Sequence, residues 1–190
     1  LSSTYYCLVV HRLLDSRVDD KPSLLNWIES KHRKDGGYSE KSSLSNMTDT
    51  YYAVQALHML ETVPSRKEKL ARFIWSCYTD SGGFGLRPGV PPDADHTYVC
   101  LQSLRLLGLK VRNETKIVVF LRACEAKGRG FANRPNCRPT TNATYWCVHA
   151  LSLLKQAVPN RAAASFLLAC QNVDGGFRRS PQARAHSWVW

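Results

Sequence analysis

Several features are scarce in this chain of 190 residues, and each scarcity excludes something. No apolar run approaches the ~18 residues that a membrane-spanning helix needs, so an integral membrane protein is not expected. No basic start followed by an apolar core and cleavage site opens the chain. Leu1 to Asp15 reads instead as an amphipathic segment, and no targeting signal is assigned. Among seven cysteines there is no Cys-x-x-Cys pair, which removes a zinc-ribbon reading. Alternating apolar–polar stretches are few, which argues against a sheet. Acidic groups are outnumbered, 15 against 26 Lys and Arg, giving a net charge of +11 and pointing to anionic partners. The basic residues are dispersed apart from Arg66-Lys67 and Arg178-Arg179, so the contiguous stripe expected of a nucleic-acid binder is missing.

What the chain does have is a period. A glycine pair closed by an aromatic occurs as Gly36-Gly37-Tyr38, Gly82-Gly83-Phe84 and Gly175-Gly176-Phe177, with Gly128-Arg129-Gly130-Phe131 as a variant. The aromatics are 46, 47 and 46 residues apart, and Tyr52, Tyr98 and Tyr145 each follow one of them by 14. A fixed long period marks a repeat protein in which each unit buries a face on its neighbours.

Each unit reads as two helices and a loop. Stretches beginning at Tyr51, Tyr98 and Tyr145 are apolar on most sides, as helices buried on several faces are. Asp49 and Thr50 read as an N-cap for the first of these. A second, amphipathic set carries Leu24, Leu25 and Ile28, then Leu70, Phe73 and Ile74, then Ile117, Phe120 and Leu121, then Phe166 and Leu167. Pro22 and Pro64 stand at or just before helix starts, and the glycine pairs are expected to end the amphipathic helices. The spacing predicts buried helices over 4–15, 49–61, 96–108 and 143–155. It predicts amphipathic ones over 22–33, 65–78, 115–126 and 161–171. Polar loops of about a dozen residues lead from the glycines to the next buried helix, a length that is functional or bracing. The expectation is an all-α protein, an α/α toroid of about four helical hairpins of 46–47 residues, read as a single domain over residues 1–190. An open superhelix is the alternative; the long loops and the buried character of one helix set favour the ring.

Cysteine keeps the same beat. Cys77, Cys124 and Cys170 share one phase; Cys7, Cys100 and Cys147 share another, with Val54 in the matching place. These six are expected to be buried, unbridged core residues in a reducing, cytoplasmic compartment. Cys137 falls off the beat, in a loop.

Two segments carry a family resemblance. Residues Phe166 to Phe177 resemble the repeat shared by protein prenyltransferase β subunits and triterpene cyclases. Residues Phe73 to Gly89 are more similar still to prenyltransferase β subunits, particularly that of the type II geranylgeranyltransferase. The resemblance covers the chain as repeats. It implies a larger ring of about six hairpins, so a fragment, an open ring and a ring completed by other segments are all compatible with four. It implies transfer of a prenyl group from an isoprenoid diphosphate to a protein thiol, an acceptor protein or peptide, and a helical partner subunit. Whether this chain is an enzyme is left open, with a lean towards yes. A class II terpene cyclase-like domain and a non-catalytic toroid binding a lipid or protein are the alternatives.

The resemblance also assigns residues. The family's zinc site pairs Asp-x-Cys at one helix start with a His before Thr at the next, and His96-Thr97 matches the second half. One repeat earlier, Asp49 keeps the acid but Tyr51 stands at the cysteine position, so Asp49 and His96 are an incomplete metal set, with zinc possible and magnesium unassigned. Asp93-Ala94-Asp95-His96-Thr97 also resembles the cyclase acid motif, in which Asp95 would be the general acid. Asp95 and His96 are thus the catalytic candidates, although capping would explain Asp95 as well. Independently of the resemblance, Lys41, Arg87 and Arg134 each follow a repeat aromatic by three residues, a placement that would line one rim of a ring with cations able to hold a diphosphate. His186, nine residues past Phe177, matches the family's diphosphate histidine. Tyr52, Tyr98, Tyr145, Trp146 and Trp188 are expected to line an apolar well for the prenyl chain, where aromatic faces suit a developing allylic cation.

Overall fold

A computed structural model describes residues 1–126, 129–158 and 160–183. Among these residues all regular structure is helical, with only isolated bridges of extended backbone. The odd-numbered helices are α1 (Ser2–Leu13), α3 (Met47–Met59), α5 (Ala94–Leu106) and α7 (Thr141–Leu153); α3, α5 and α7 are buried on several faces, whereas α1 buries only Leu8. The even-numbered ones are amphipathic: α2 (Lys21–Ser30), α4 (Lys67–Ser76), α6 (Glu114–Ala123) and α8 (Asn160–Ala169). The expected alternation is therefore present from α2 onward and α1 is the exception, exposed along most of its length; no described helix is long and apolar enough to cross a membrane.

The buried helices start and stop two residues earlier than the apolar pattern suggested, because their caps lie outside it. Asn46 Oδ1 accepts the Asp49 N–H at 2.8 Å, Asp93 Oδ1 accepts the His96 N–H at 2.9 Å, and Thr140 Oγ1 accepts the Ala143 N–H at 3.1 Å. Asp49-Thr50 is therefore not the cap of α3 but part of its first turn, and Asp93 rather than Asp95 caps α5. At the other end Asp15, Glu61, Gly108 and Lys155 all take left-handed φ values between 48° and 65°. The next N–H then closes a six-residue ring, as from Thr62 to the Leu57 carbonyl at 2.9 Å.

The glycine pairs do not end the amphipathic helices. They lie six residues beyond, in a turn closed by the bridges His32–Tyr38, Tyr78–Phe84, Glu125–Phe131 and Gln171–Phe177. Their purpose is contact with the following hairpin. A methyl group on Gly36 would lie 2.4 Å from the Lys69 carbonyl oxygen of α4, and one on Gly82 would lie 2.3 Å from that of Lys116 in α6. In the first three repeats the glycine just before the aromatic receives a phenyl ring: Phe73 on Gly37, Phe120 on Gly83, Phe166 on Gly130.

The described residues form two compact units. The first contains α1 to α4, the 84–91 loop and residues 99–112; the second contains residues 80–83, 92–98 and everything described from Asn113 onward. In the first, α1 and α2 pack on α3; in the second, α6 packs on α7. The cores hold the repeat aromatics Tyr38, Phe84 and Phe131, fully buried, whereas Phe177 is 62% exposed. Cys77, Cys100, Cys124, Cys147 and Cys170 are buried and Cys137 is exposed, as expected, and all the cysteines are unbridged. Cys7 is the correction: it is exposed. Its helix buries only Leu8, so the repeat phase that places Cys100 and Cys147 in the core does not do so for Cys7.

Candidate functional site

In the second unit, chemistry-bearing side chains gather at the start of α5. Asp93 is 6% exposed, and one of its oxygens both caps the helix and meets His96 Nδ1 at 2.7 Å. A carboxylate only accepts, so neutral His96 carries its proton on Nδ1 and presents a bare Nε2. The other Asp93 oxygen lies 3.8 Å from the Arg134 guanidinium. The loop of the next repeat holds the cluster in place: the Asn133 carbonyl accepts the Ala94 N–H at 2.9 Å, and Asn133 Oδ1 accepts the Asp95 N–H at 3.2 Å. Thr97 ties the first turn by donating to the Asp93 carbonyl at 2.6 Å.

Asp95 sits beside this network with a different character. Burial pushes its carboxyl above the ordinary range, and nearby Asp93 adds to the shift while His96 opposes it. Two residues after His96, Tyr98 begins an aromatic group. Its ring centroid lies 5.9 Å from that of Tyr145 and 5.8 Å from that of His149, and Tyr145 and His149 are 4.3 Å apart. Tyr98 is nearly buried and Tyr145 is half exposed. Trp146 joins Tyr145, Thr141 and Asn142 around a separate shallow cleft.

The first unit has its own aromatic group. Tyr52 is grouped with Tyr5, Tyr6 and Tyr51 at centroid separations of 5.4–5.8 Å, and its hydroxyl shares a 3.0 Å hydrogen bond with that of Tyr6. Lys41 and Arg87 are exposed there, as Arg134 is in the other unit. His186 and Trp188 lie outside the described residues.

The resemblance implies a zinc set of Asp49 and His96. Asp49 belongs to the first unit and His96 to the second, and no group of three His, Cys, Asp or Glu side chains suited to a metal occurs among the described residues. Asp49 also has other work, accepting from the Asn46 side-chain amide at 2.8 Å and the Glu40 N–H at 3.1 Å. Sequence reasoning missed Asp93 as the partner of His96, and it missed Asn133, Tyr6 and His149. The available signal was the cap position, since Asn46, Asp93 and Thr140 recur every 47 residues although their letters differ.

Residues 1–188 match the prenyltransferase alpha-alpha toroid domain family, and the chain belongs to it. It is 32% identical over 85 residues to the geranylgeranyl transferase type-1 subunit beta of Arabidopsis thaliana, a match covering 43% of this chain and 22% of that protein. Its fold resembles that of Candida albicans protein geranylgeranyltransferase-I complexed with GGPP, with a TM-score of 0.65, 22% identity, and coverage of 78% of this chain and 47% of that one. The type II terpene cyclase MstE from Scytonema, in complex with geranylgeranyl dihydroxybenzoate, gives a TM-score of 0.66 at 16% identity, covering 93% and 56%. The chain thus spans about half the length of the solved relatives it matches. Its fold is the α/α toroid of that family.

Proposed function

We propose that this chain binds an isoprenoid diphosphate and transfers its prenyl group to a protein thiol. The observation that carries this reading is the Asp93–His96 pair at the head of α5, with the Arg134 cation beside it. In the proposed reaction the acceptor's thiol gives its proton to His96 Nε2 as sulfur bonds to the allylic carbon. The carbon–oxygen bond breaks and the diphosphate leaves with the electron pair. Arg134 stabilises that charge. Lys41 and Arg87, at the same place in the repeat, are proposed as further diphosphate contacts, together with His186. The rings of Tyr98 and Tyr145 are proposed to meet the prenyl chain, with Tyr52, Trp146 and Trp188 as additional wall. An acceptor peptide, a helical partner subunit or further ring segments, and a cytoplasmic setting complete the proposal. No step is routed through zinc or magnesium.

Calorimetric titration of geranylgeranyl diphosphate into the protein at low and high salt tests the binding half. Binding should weaken with salt, and a Lys41→Ala, Arg87→Ala, Arg134→Ala triple change should weaken it at least tenfold. Salt-independent affinity that survives the triple change would remove the reading. Incubation with a cysteine-terminated peptide then separates transfer from binding alone, which is the non-catalytic alternative. The raised Asp95 carboxyl favours the second enzymatic reading, a cyclase-like acid that protonates an alkene. Cyclised product that disappears in Asp95→Asn, with binding intact, would replace the first reading by the second.

A further inference from the structure

The third glycine motif departs from the others, and the departure opens a cleft. Two residues before the aromatic, where Gly36, Gly82 and Gly175 stand, the third repeat has Arg129. At Gly36 and Gly82 the next amphipathic helix comes so near that even a methyl group would strike a lysine carbonyl. An arginine cannot occupy such a contact. Phe166 of α8 still seats on Gly130, yet beside it a cavity of about 560 Å³ lies between the 129–139 loop, α8 and the 181–182 turn.

The lining has two parts. Phe166, Ala169, Pro139 and Pro181 supply an apolar part, and Arg129 and Arg138, with the uncharged Ser165 and Gln182, supply a polar one. Both arginines are exposed, neither forms an ion pair among the described residues, and no acidic side chain is among the described residues of the lining. Arg178 braces one wall by donating to the Pro181 carbonyl at 3.4 Å. The volume falls within the roughly 300–1,000 Å³ of small-molecule sites, which combine apolar walls with a few placed polar groups. Two arginines without an ion-pair partner among the described residues, beside apolar side chains, suit an amphiphile with an anionic head, and a carboxylate is one that the planar fork bonds in bidentate fashion.

We propose that this cleft binds a small amphiphilic carboxylate of the fatty-acid type. It is separate from the Asp93–His96 site and does not depend on the function proposed for it. The test titrates dodecanoate, below its micelle concentration, into the whole chain by calorimetry, with dodecanol as the uncharged counterpart. One equivalent of dodecanoate should bind, more weakly at high salt, with dodecanol at least tenfold weaker. Arg129→Gly restores the residue of the other repeats, so it should fold, lower dodecanoate affinity at least tenfold, and leave geranylgeranyl diphosphate affinity unchanged. Ala169→Phe should fill the apolar part and abolish binding of both probes. Equal affinity for dodecanoate and dodecanol, undiminished binding in either variant, or no binding to the unmodified chain would each overturn the proposal.

Discussion

The backbone N–H of Phe131 donates to the Thr144 hydroxyl at 3.0 Å, across 13 residues of sequence and inside the core. Tyr38 and Thr50 repeat the bond at 3.0 Å in the first unit. In each case the threonine in the first turn of a buried helix satisfies the N–H of the aromatic that follows the glycines. Thr144→Val keeps the shape and removes the acceptor, leaving a buried donor unpaired. The expected cost is about 1–3 kcal/mol of unfolding free energy, with Thr144→Ser close to the unmodified protein. Urea denaturation of the three proteins measures it, and equal midpoints for Val and Ser would dismiss the bond as a stabilising element.

The glycines make a graded prediction. Gly89 has φ of 79° and open space around it, so Gly89→Ala should cost only the left-handed strain of about 1–2 kcal/mol. Gly36, with φ of 102°, carries the same kind of strain plus a backbone oxygen 2.4 Å from the new methyl. Gly36→Ala should therefore destabilise well beyond Gly89→Ala in the same denaturation series.

Asp93→Ala and Asp93→Asn separate two roles of one side chain. Alanine removes both the α5 cap and the His96 partner, at a cost of about 1 kcal/mol. Asparagine keeps a capping oxygen but no longer enforces one tautomer, because the amide both donates and accepts. Nitrogen-15 spectra of the imidazole should show Nδ1 protonated in the unmodified neutral ring and a mixture in Asp93→Asn. Identical spectra would mean that Asp93 does not orient His96.

Burial pushes the Cys77 thiol up to about 12 from an ordinary value of 9.0. The unfolded chain then loses this proton at lower pH than the folded one does. The associated stability is fully present below pH 9 and is lost as pH rises towards 12. At about 1.4 kcal/mol per unit, the contribution is of the order of 4 kcal/mol. Stability measured against pH should fall less steeply between pH 9 and 11 in Cys77→Ala than in the unmodified protein; parallel curves would contradict the burial argument.

Thiol labelling of the native protein should divide the cysteines. Cys7 and Cys137 are exposed and should react within the first phase, whereas the five buried thiols wait for unfolding. Protection of Cys7 in the isolated chain would show that its helix face is covered.

Much of the architecture was legible in the sequence because a repeat prints each requirement several times. The period of the glycine–aromatic motif, the two kinds of helix and the burial of five cysteines all follow from residues whose types recur in phase, and so does the toroid class. What recurs in position but not in type was hidden. Asn46, Asp93 and Thr140 cap successive helices with three different side chains, because a cap needs only an acceptor oxygen, and reading the apolar pattern alone set the helix starts two residues late. Thr50, Thr97 and Thr144 were in plain view at intervals of 47, yet their meaning required knowing which N–H they meet. Tertiary structure alone decided the rest. Spacing cannot say that Gly36 faces a carbonyl of the next hairpin, that Asp93 rather than Asp95 holds His96, or that Arg129 borders a cleft beside α8. Those facts depend on distances between residues far apart in sequence, and close packing in three dimensions sets them.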